Sequence, residues 1–262
     1  MKRIVLAFLA SLTSVGAAHG GAWTLGAGHW QSFSAITSSQ ADRSFTSNGR
    51  ASIPTKFNKT LLQNTFEYGL TNYLTLFATP AYVIANVATP TVPLSHAENT
   101  SVEFGGRLMW LAHGFGKLSL QGSYKTAGAF DLSVSANHES GRQIELRLLY
   151  GTSFELFGRD GFFDFQIAQR WISRPRPNET PVDITAGLWL NHSTMLMAQS
   201  FNIVSAGDAL PPYTYYRTHK LEFSVVERLS RHWLLQSGVF YSPAGQNALV
   251  ERGVSLVLWT QT

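Results

Sequence analysis

The sequence contains no cysteine, so disulfides, thiolate metal ligands and cysteine nucleophiles are excluded at once. Charge is also scarce. Charged residues make up 14% of the 262 residues, where a soluble globular domain carries about 25%. The 20 Lys and Arg stand against 16 Asp and Glu, with no basic run beyond the first residues. Nothing in that balance calls for a nucleic-acid partner. After the opening segment no stretch offers 18 uninterrupted apolar residues, so the chain does not read as a helical membrane protein. Aromatics, in contrast, are plentiful, at 17 Phe, 9 Tyr and 7 Trp. That content argues against a disordered chain.

The first residues have a separate logic. Lys2 and Arg3 precede an apolar run from Ile4 to Leu12, followed by the small residues Gly16, Ala17 and Ala18. A positive start, a short greasy stretch and a small-residue exit mark a secretory signal peptide. The expected peptide is 1–18, with cleavage after Gly20 as the alternative. Residues 19–262 then form a single domain. Removing Lys2 and Arg3 from the 20 basic residues leaves 18 against 16 acidic ones, so net charge does not recruit a partner.

Along the remaining chain the recurrent signal is alternation with period two. Leu118, Leu120, Gly122 and Tyr124 fall on one face, and Lys117, Ser119, Gln121, Ser123 and Lys125 on the other. A strand separates such sets, whereas a helix scatters them. The same split places Val102, Phe104, Leu108 and Trp110 opposite Ser101, Glu103, Arg107 and Met109. It recurs for Ile144, Leu146 and Leu148 against Glu145 and Arg147, and for Phe163, Phe165 and Ile167 against Asp164, Gln166 and Arg170. Gln169 interrupts the latter apolar face.

Twelve strands are expected, over 23–33, 58–68, 73–87, 99–112, 116–127, 142–157, 162–173, 182–191, 194–205, 217–228, 233–242 and 248–259; ten and fourteen are the neighbouring counts. Short connections, such as the Gly158-Arg159-Asp160-Gly161 turn, alternate with longer ones at 34–57, 88–98, 128–141, 174–181 and 206–216. This pattern predicts an all-β, up-and-down antiparallel transmembrane β-barrel in the outer membrane, with short turns in the periplasm and longer loops outside. The stretch Ser34 to Thr60 is expected either as an outer loop or as an inward-folded constriction. A soluble sandwich is the competing architecture, but its strands average only about five or six residues.

The apolar face is assigned to lipid, with Trp23, Trp30, Tyr68, Tyr73, Tyr82, Trp110, Trp171, Trp233, Tyr241 and Trp259 near strand ends as interfacial girdles. The opposite face carries Glu67, Glu103, Arg107, Lys117, Lys125, Glu145, Arg147, Asp164, Arg170, Asp183, Lys220 and Glu222. Charges facing hydrocarbon are costly, whereas charges facing a wet lumen keep their hydration. These twelve are the candidate lumen-lining residues. Glu103/Arg107 and Lys117/Lys125 lead, followed by Glu145/Arg147. Each charge serves either a cross-barrel ion pair or a pore lining that orients a solute.

Enzymatic chemistry finds little support. His138-Glu139-Ser140 and His192-Ser193 are adjacent in sequence, but a catalytic triad is defined by geometry in space. There is no G-x-S-x-G elbow, no H-E-x-x-H and no EF-hand spacing. Neither a cofactor nor a metal is expected, and the chain does not read as an enzyme. Tyr213, Tyr215 and Tyr216 after Pro211-Pro212, and the Arg174-Pro175-Arg176-Pro177 run, read as stiff loops that can contact a solute at the mouth.

The segments FEYGLTNYLTL at 66–76, YGTSFELFGRDGFFDFQIAQRW at 150–171 and KLEFSVVERLSRHWLLQSGVFYSPAGQNALVERGVSLVLW at 220–259 resemble the transporter-like outer-membrane barrels of the phenol-degradation meta-pathway family. The resemblance implies an outer-membrane location and traffic of small, in part aromatic, compounds; it carries over no catalytic residue. Such a protein has outer-membrane lipid as its solvent and the barrel-assembly machinery as its folding partner. The leading function is passage of small solutes. A closed, envelope-organising barrel and an outer-membrane lipid hydrolase are the alternatives.

Overall fold

In the computed structural model, residues 21–88, 95–126, 142–174, 176–210 and 214–262 are described. The expected signal peptide 1–18, the expected connection 128–141 with His138-Glu139-Ser140, and Pro211, Pro212 and Tyr213 lie outside them. Twelve strands run as β1 (Trp30–Phe45), β2 (Ala51–Thr71), β3 (Leu74–Ala88), β4 (Ser95–His113), β5 (Gly116–Lys125) and β6 (Gln143–Leu156). They continue as β7 (Arg159–Ile172), β8 (Glu179–Trp189), β9 (Thr194–Ser205), β10 (Arg217–Arg228), β11 (Trp233–Gln246) and β12 (Arg252–Gln261). Every strand pairs antiparallel with its sequence neighbours, and β1 closes on β12 from Gln31↔Gln261 to Gln40↔Arg252. Closure leaves no open edge, the condition for strands to cross a membrane.

Pleating explains the two faces. Phe104, Leu108, Leu120, Ile144, Leu148, Phe223, Val239 and Leu256 all project outward as exposed large apolar side chains. In water this belt would be unstable; in lipid it is solvated. Two polar interruptions satisfy one another. Thr180 donates to Gln169 Oε1 at 3.3 Å, and Asn64 donates to Ser32 Oγ at 3.0 Å and Ser34 Oγ at 2.7 Å. The imperfection at Gln169 is therefore answered across the β7–β8 pair.

The chain departs from the expected strand pattern at its start. Only the end of the 23–33 segment is strand, because β1 begins at Trp30 and continues to Phe45. The 34–57 stretch is thus neither an outer loop nor an inward constriction. It is the top of a long hairpin, paired from Trp30↔Tyr68 to Phe45↔Ala51 with register shifts between Ala41 and Arg43 and between Ser44 and Phe45. Small polar residues on both faces hide this strand from an apolar-polar criterion, while backbone pairing does not depend on them.

Two other boundaries shift for local reasons. The β6–β7 reversal sits at Phe157 and Gly158, with φ of 53° and 71°, leaving Arg159 and Asp160 to begin β7. Two successive left-handed residues match the right-handed twist of a two-residue hairpin, and glycine adopts that conformation readily. The last connection is 247–251, so β12 starts at Arg252 and not at 248.

Candidate functional site

The inside of the barrel is built in levels. At the periplasmic end, residues 21–27 precede β1 and lead into the lumen, with Gly26 and Ala27 exposed at its rim and Ala22 at 0% exposure. Arg107 Nη1 donates to the Gly21 carbonyl at 2.7 Å, and the Ala22 amide donates to Asp164 Oδ2 at 2.9 Å. Ser119 Oγ donates to the Ala22 carbonyl, and the Leu25 amide donates to Thr75 Oγ1 at 2.8 Å. The Ala27 amide reaches Asn72 Oδ1 at 3.0 Å. These bonds satisfy backbone groups that would otherwise be stranded without a strand partner.

Trp23 anchors the same segment. Its ring meets Phe162 edge-on, with centroids 6.3 Å apart, and lies against Gly151, where a Cβ would stand 2.6 Å from the ring. Only the missing side chain at Gly151 permits this seat. Beside it the lumen is filled by Phe33, Phe162, Met195, Met197, Val226, Leu234, Val257 and Trp259. Trp23 and Trp259 therefore belong to the interior and not to a lipid girdle. Trp259, only 3% exposed, packs edge-on against Phe33 at 5.8 Å. Trp30, by contrast, stacks on Phe66 on the outer face.

The sequence-derived charges take distinct positions on the inner face. Arg107, with 0% exposure, pairs with Glu67 at 2.7 Å rather than with Glu103, and Gln31 Nε2 donates to the other Glu67 oxygen at 2.7 Å. Asp164 holds Ala22 and accepts from Gln166 Nε2. Lys117 stands at the periplasmic end of β5 and Lys125 at its outer end, so these two do not act together. Glu222 accepts from Ser255 Oγ at 2.6 Å.

Higher in the lumen, an arginine–carboxylate ladder crosses β6, β7 and β8. Glu145 binds Arg147 and Arg170, each at 2.7 Å; Arg147 reaches Asp183 and Arg170 reaches Glu179, each at 2.6 Å. Tyr216 donates its hydroxyl to Glu179 as well. The planar guanidinium suits such shared, forked pairing.

Against the ladder, and lined in part by its Glu145, Arg170 and Glu179, lies a cavity of about 250 Å³ whose other lining residues include Phe57, Lys59, Glu103, Lys125, Lys220 and Glu251. Lys59 and Lys220 approach the two oxygens of Glu251 at 2.9 Å and 2.8 Å. Glu251 sits in the connection before β12. Burial alone raises its carboxyl, but the two ammonium groups override burial and hold it well below the ordinary carboxylate range. Lys59, Glu179 and Glu251 escaped the sequence reading. Lys59 lies on the Phe57, Leu61, Gln63 and Glu67 face of β2 and was recoverable from alternation. Glu179 precedes the expected start of its strand, and Glu251 lies in a connection that alternation does not describe.

A twelve-stranded closed barrel with an apolar exterior and a charged interior has the architecture of an outer-membrane barrel. Solved structures agree in fold. An outer-membrane channel from Pseudomonas putida F1 superposes with a TM-score of 0.71 at 13% identity, covering 95% of this chain and 100% of that one. The translocator domain of the autotransporter NalP from Neisseria meningitidis gives 0.53 at 11% identity, covering 99% and 95%. The KdgM porin gives 0.51 at 7% identity, covering 87% and 98%. No family model matches the chain, and no curated protein matches it. The protein has the fold of an outer-membrane β-barrel.

Proposed function

We propose that the barrel passes small solutes across the outer membrane, with residues 21–27 closing its periplasmic half. The observation that carries this reading is the polar cavity between Lys59, Lys125 and Glu251, set directly above charged inner walls. A purely structural barrel gains nothing from a hydrated recess at that level. The resemblance of its hairpins to the phenol-degradation barrels makes small aromatic compounds the first solutes to test. A non-catalytic role is part of the same reading.

One observation favours a second reading, a closed envelope barrel: the lumen is occupied by residues 21–27, bonded to Arg107, Ser119 and Asp164. Planar-bilayer recordings separate the two. Solute passage predicts discrete conductance steps that grow in Gly151→Leu, whose side chain would strike the Trp23 ring and push it from its seat. A folded wild type and a folded Gly151→Leu that both stay silent support the closed barrel instead.

A further inference from the structure

Most charges that line the outer cavity answer one another. Arg170 and Arg176 face Glu145 and Glu179, with Arg176 at 3.7 Å from Glu179, and Lys59 and Lys220 share Glu251. Two lining charges meet others only at a distance: Glu103 and Lys125 attract each other, and Glu103 also faces Arg170, without a close ion pair. Glu103 on β4 and Lys125 on β5 are directly opposite in register and both border the cavity. Among the described residues neither makes a hydrogen bond, and their charged atoms stand farther than 4.0 Å apart. Opposite charges in a recess of reduced dielectric attract, but a charged group there without a hydrogen-bond partner stays costly. A carboxylate and an ammonium held side by side yet apart present a two-point site for a ligand carrying both complementary charges.

The rest of the lining defines the remainder of that ligand. Phe57, Ile203 and Leu249 give the cavity an apolar portion, and its volume of about 250 Å³ is below that of a drug-sized pocket. We propose that the outer cavity binds a zwitterionic α-amino acid with an apolar side chain. Lys125 holds its carboxylate, Glu103 its ammonium, and Phe57 and Leu249 contact its side chain. A simple anion would give Glu103 no hydrogen-bond donor and face its repulsion; a simple cation would give Lys125 no acceptor and be repelled there. Only a ligand with both charges satisfies both residues.

The inference deepens the solute-passage reading by naming a solute class, so binding and current are measured separately. Isothermal calorimetry on the folded protein in detergent micelles compares L-phenylalanine, 3-phenylpropionate and phenethylamine. These three share a phenyl body and carry both charges, the negative alone and the positive alone. Phenylalanine is expected to bind at least about tenfold more tightly than either of the others, since each probe lacks one charge-assisted hydrogen bond. Glu103→Gln is expected to abolish its advantage over 3-phenylpropionate, and Lys125→Gln its advantage over phenethylamine. A merely structural role for the pair would weaken all three probes together. Equal binding of the three probes, or binding of none, to the unaltered protein overturns the site, whether or not a variant folds. Binding without bilayer current keeps the site and overturns the channel; current without binding does the reverse.

Discussion

Arg107 joins the barrel wall to the internal segment, and its removal separates stability from closure. The guanidinium is fully buried, pairs with Glu67 at 2.7 Å and donates to the Gly21 carbonyl at 2.7 Å. Arg107→Met removes both contacts and leaves the Glu67 carboxylate buried with Gln31 as its remaining partner. Breaking a buried pair on one side costs about 3–5 kcal/mol, most of it from the charge left behind. Replacing both members, as Glu67→Gln with Arg107→Met, removes that charge and is expected to recover most of the loss. The bond to Gly21 is not recovered. A hydrogen bond from a charged group contributes about 1.5–3 kcal/mol, equivalent to a shift of about 10- to 150-fold toward the displaced segment.

The double variant is therefore expected to show near-wild-type unfolding in denaturant, followed by tryptophan fluorescence in lipid vesicles. Its open-channel occupancy in planar bilayers is expected to rise by about tenfold or more. The single variant should show both the stability loss and the greater occupancy. The reasoning is refuted by a stable double variant whose current traces match those of the wild type. In that event Arg107 is a wall residue only, and the bonds at Asp164 and Ser119 suffice to hold the segment.

Two further outcomes test other levels of the barrel. Leu148 lies mid-strand on the outer face opposite Leu120 and Ile167, and Leu148→Arg is expected to destabilise the folded state in lipid vesicles by about 2–4 kcal/mol. A neutral result in the same denaturant titration would show that this surface does not face hydrocarbon. Glu251→Gln leaves Lys59 and Lys220 without their shared carboxylate and is expected to cost about 1–2 kcal/mol at neutral pH, discounted because both lysines are partly exposed. Its depressed carboxyl makes that contribution complete above the unfolded value near 4.3 and progressively smaller as pH falls toward the folded value. The difference between wild type and variant should thus persist at pH 5 and narrow in stronger acid; a difference that grows on acidification would contradict the assigned pairing.

Legibility in the sequence followed the physics of each segment. Strands β4 to β8 were readable because lipid and lumen impose opposite chemistry on alternate residues, as at Phe104 and Glu103 or Leu146 and Glu145. The β1–β2 hairpin was read only in part: 58–68 falls within β2, but 34–57 was missed, because small polar residues such as Ser34 remove the apolar signal from its outer face. Parity placed Arg107 on the inner face but could not choose its partner. Glu103 is four residues away on the same strand, whereas Glu67 on β2 is reached across the intervening strand β3. The internal run of residues 21–27 left no periodic trace at all. Its position follows from the absent side chain at Gly151 and from a few donors and acceptors on four different strands.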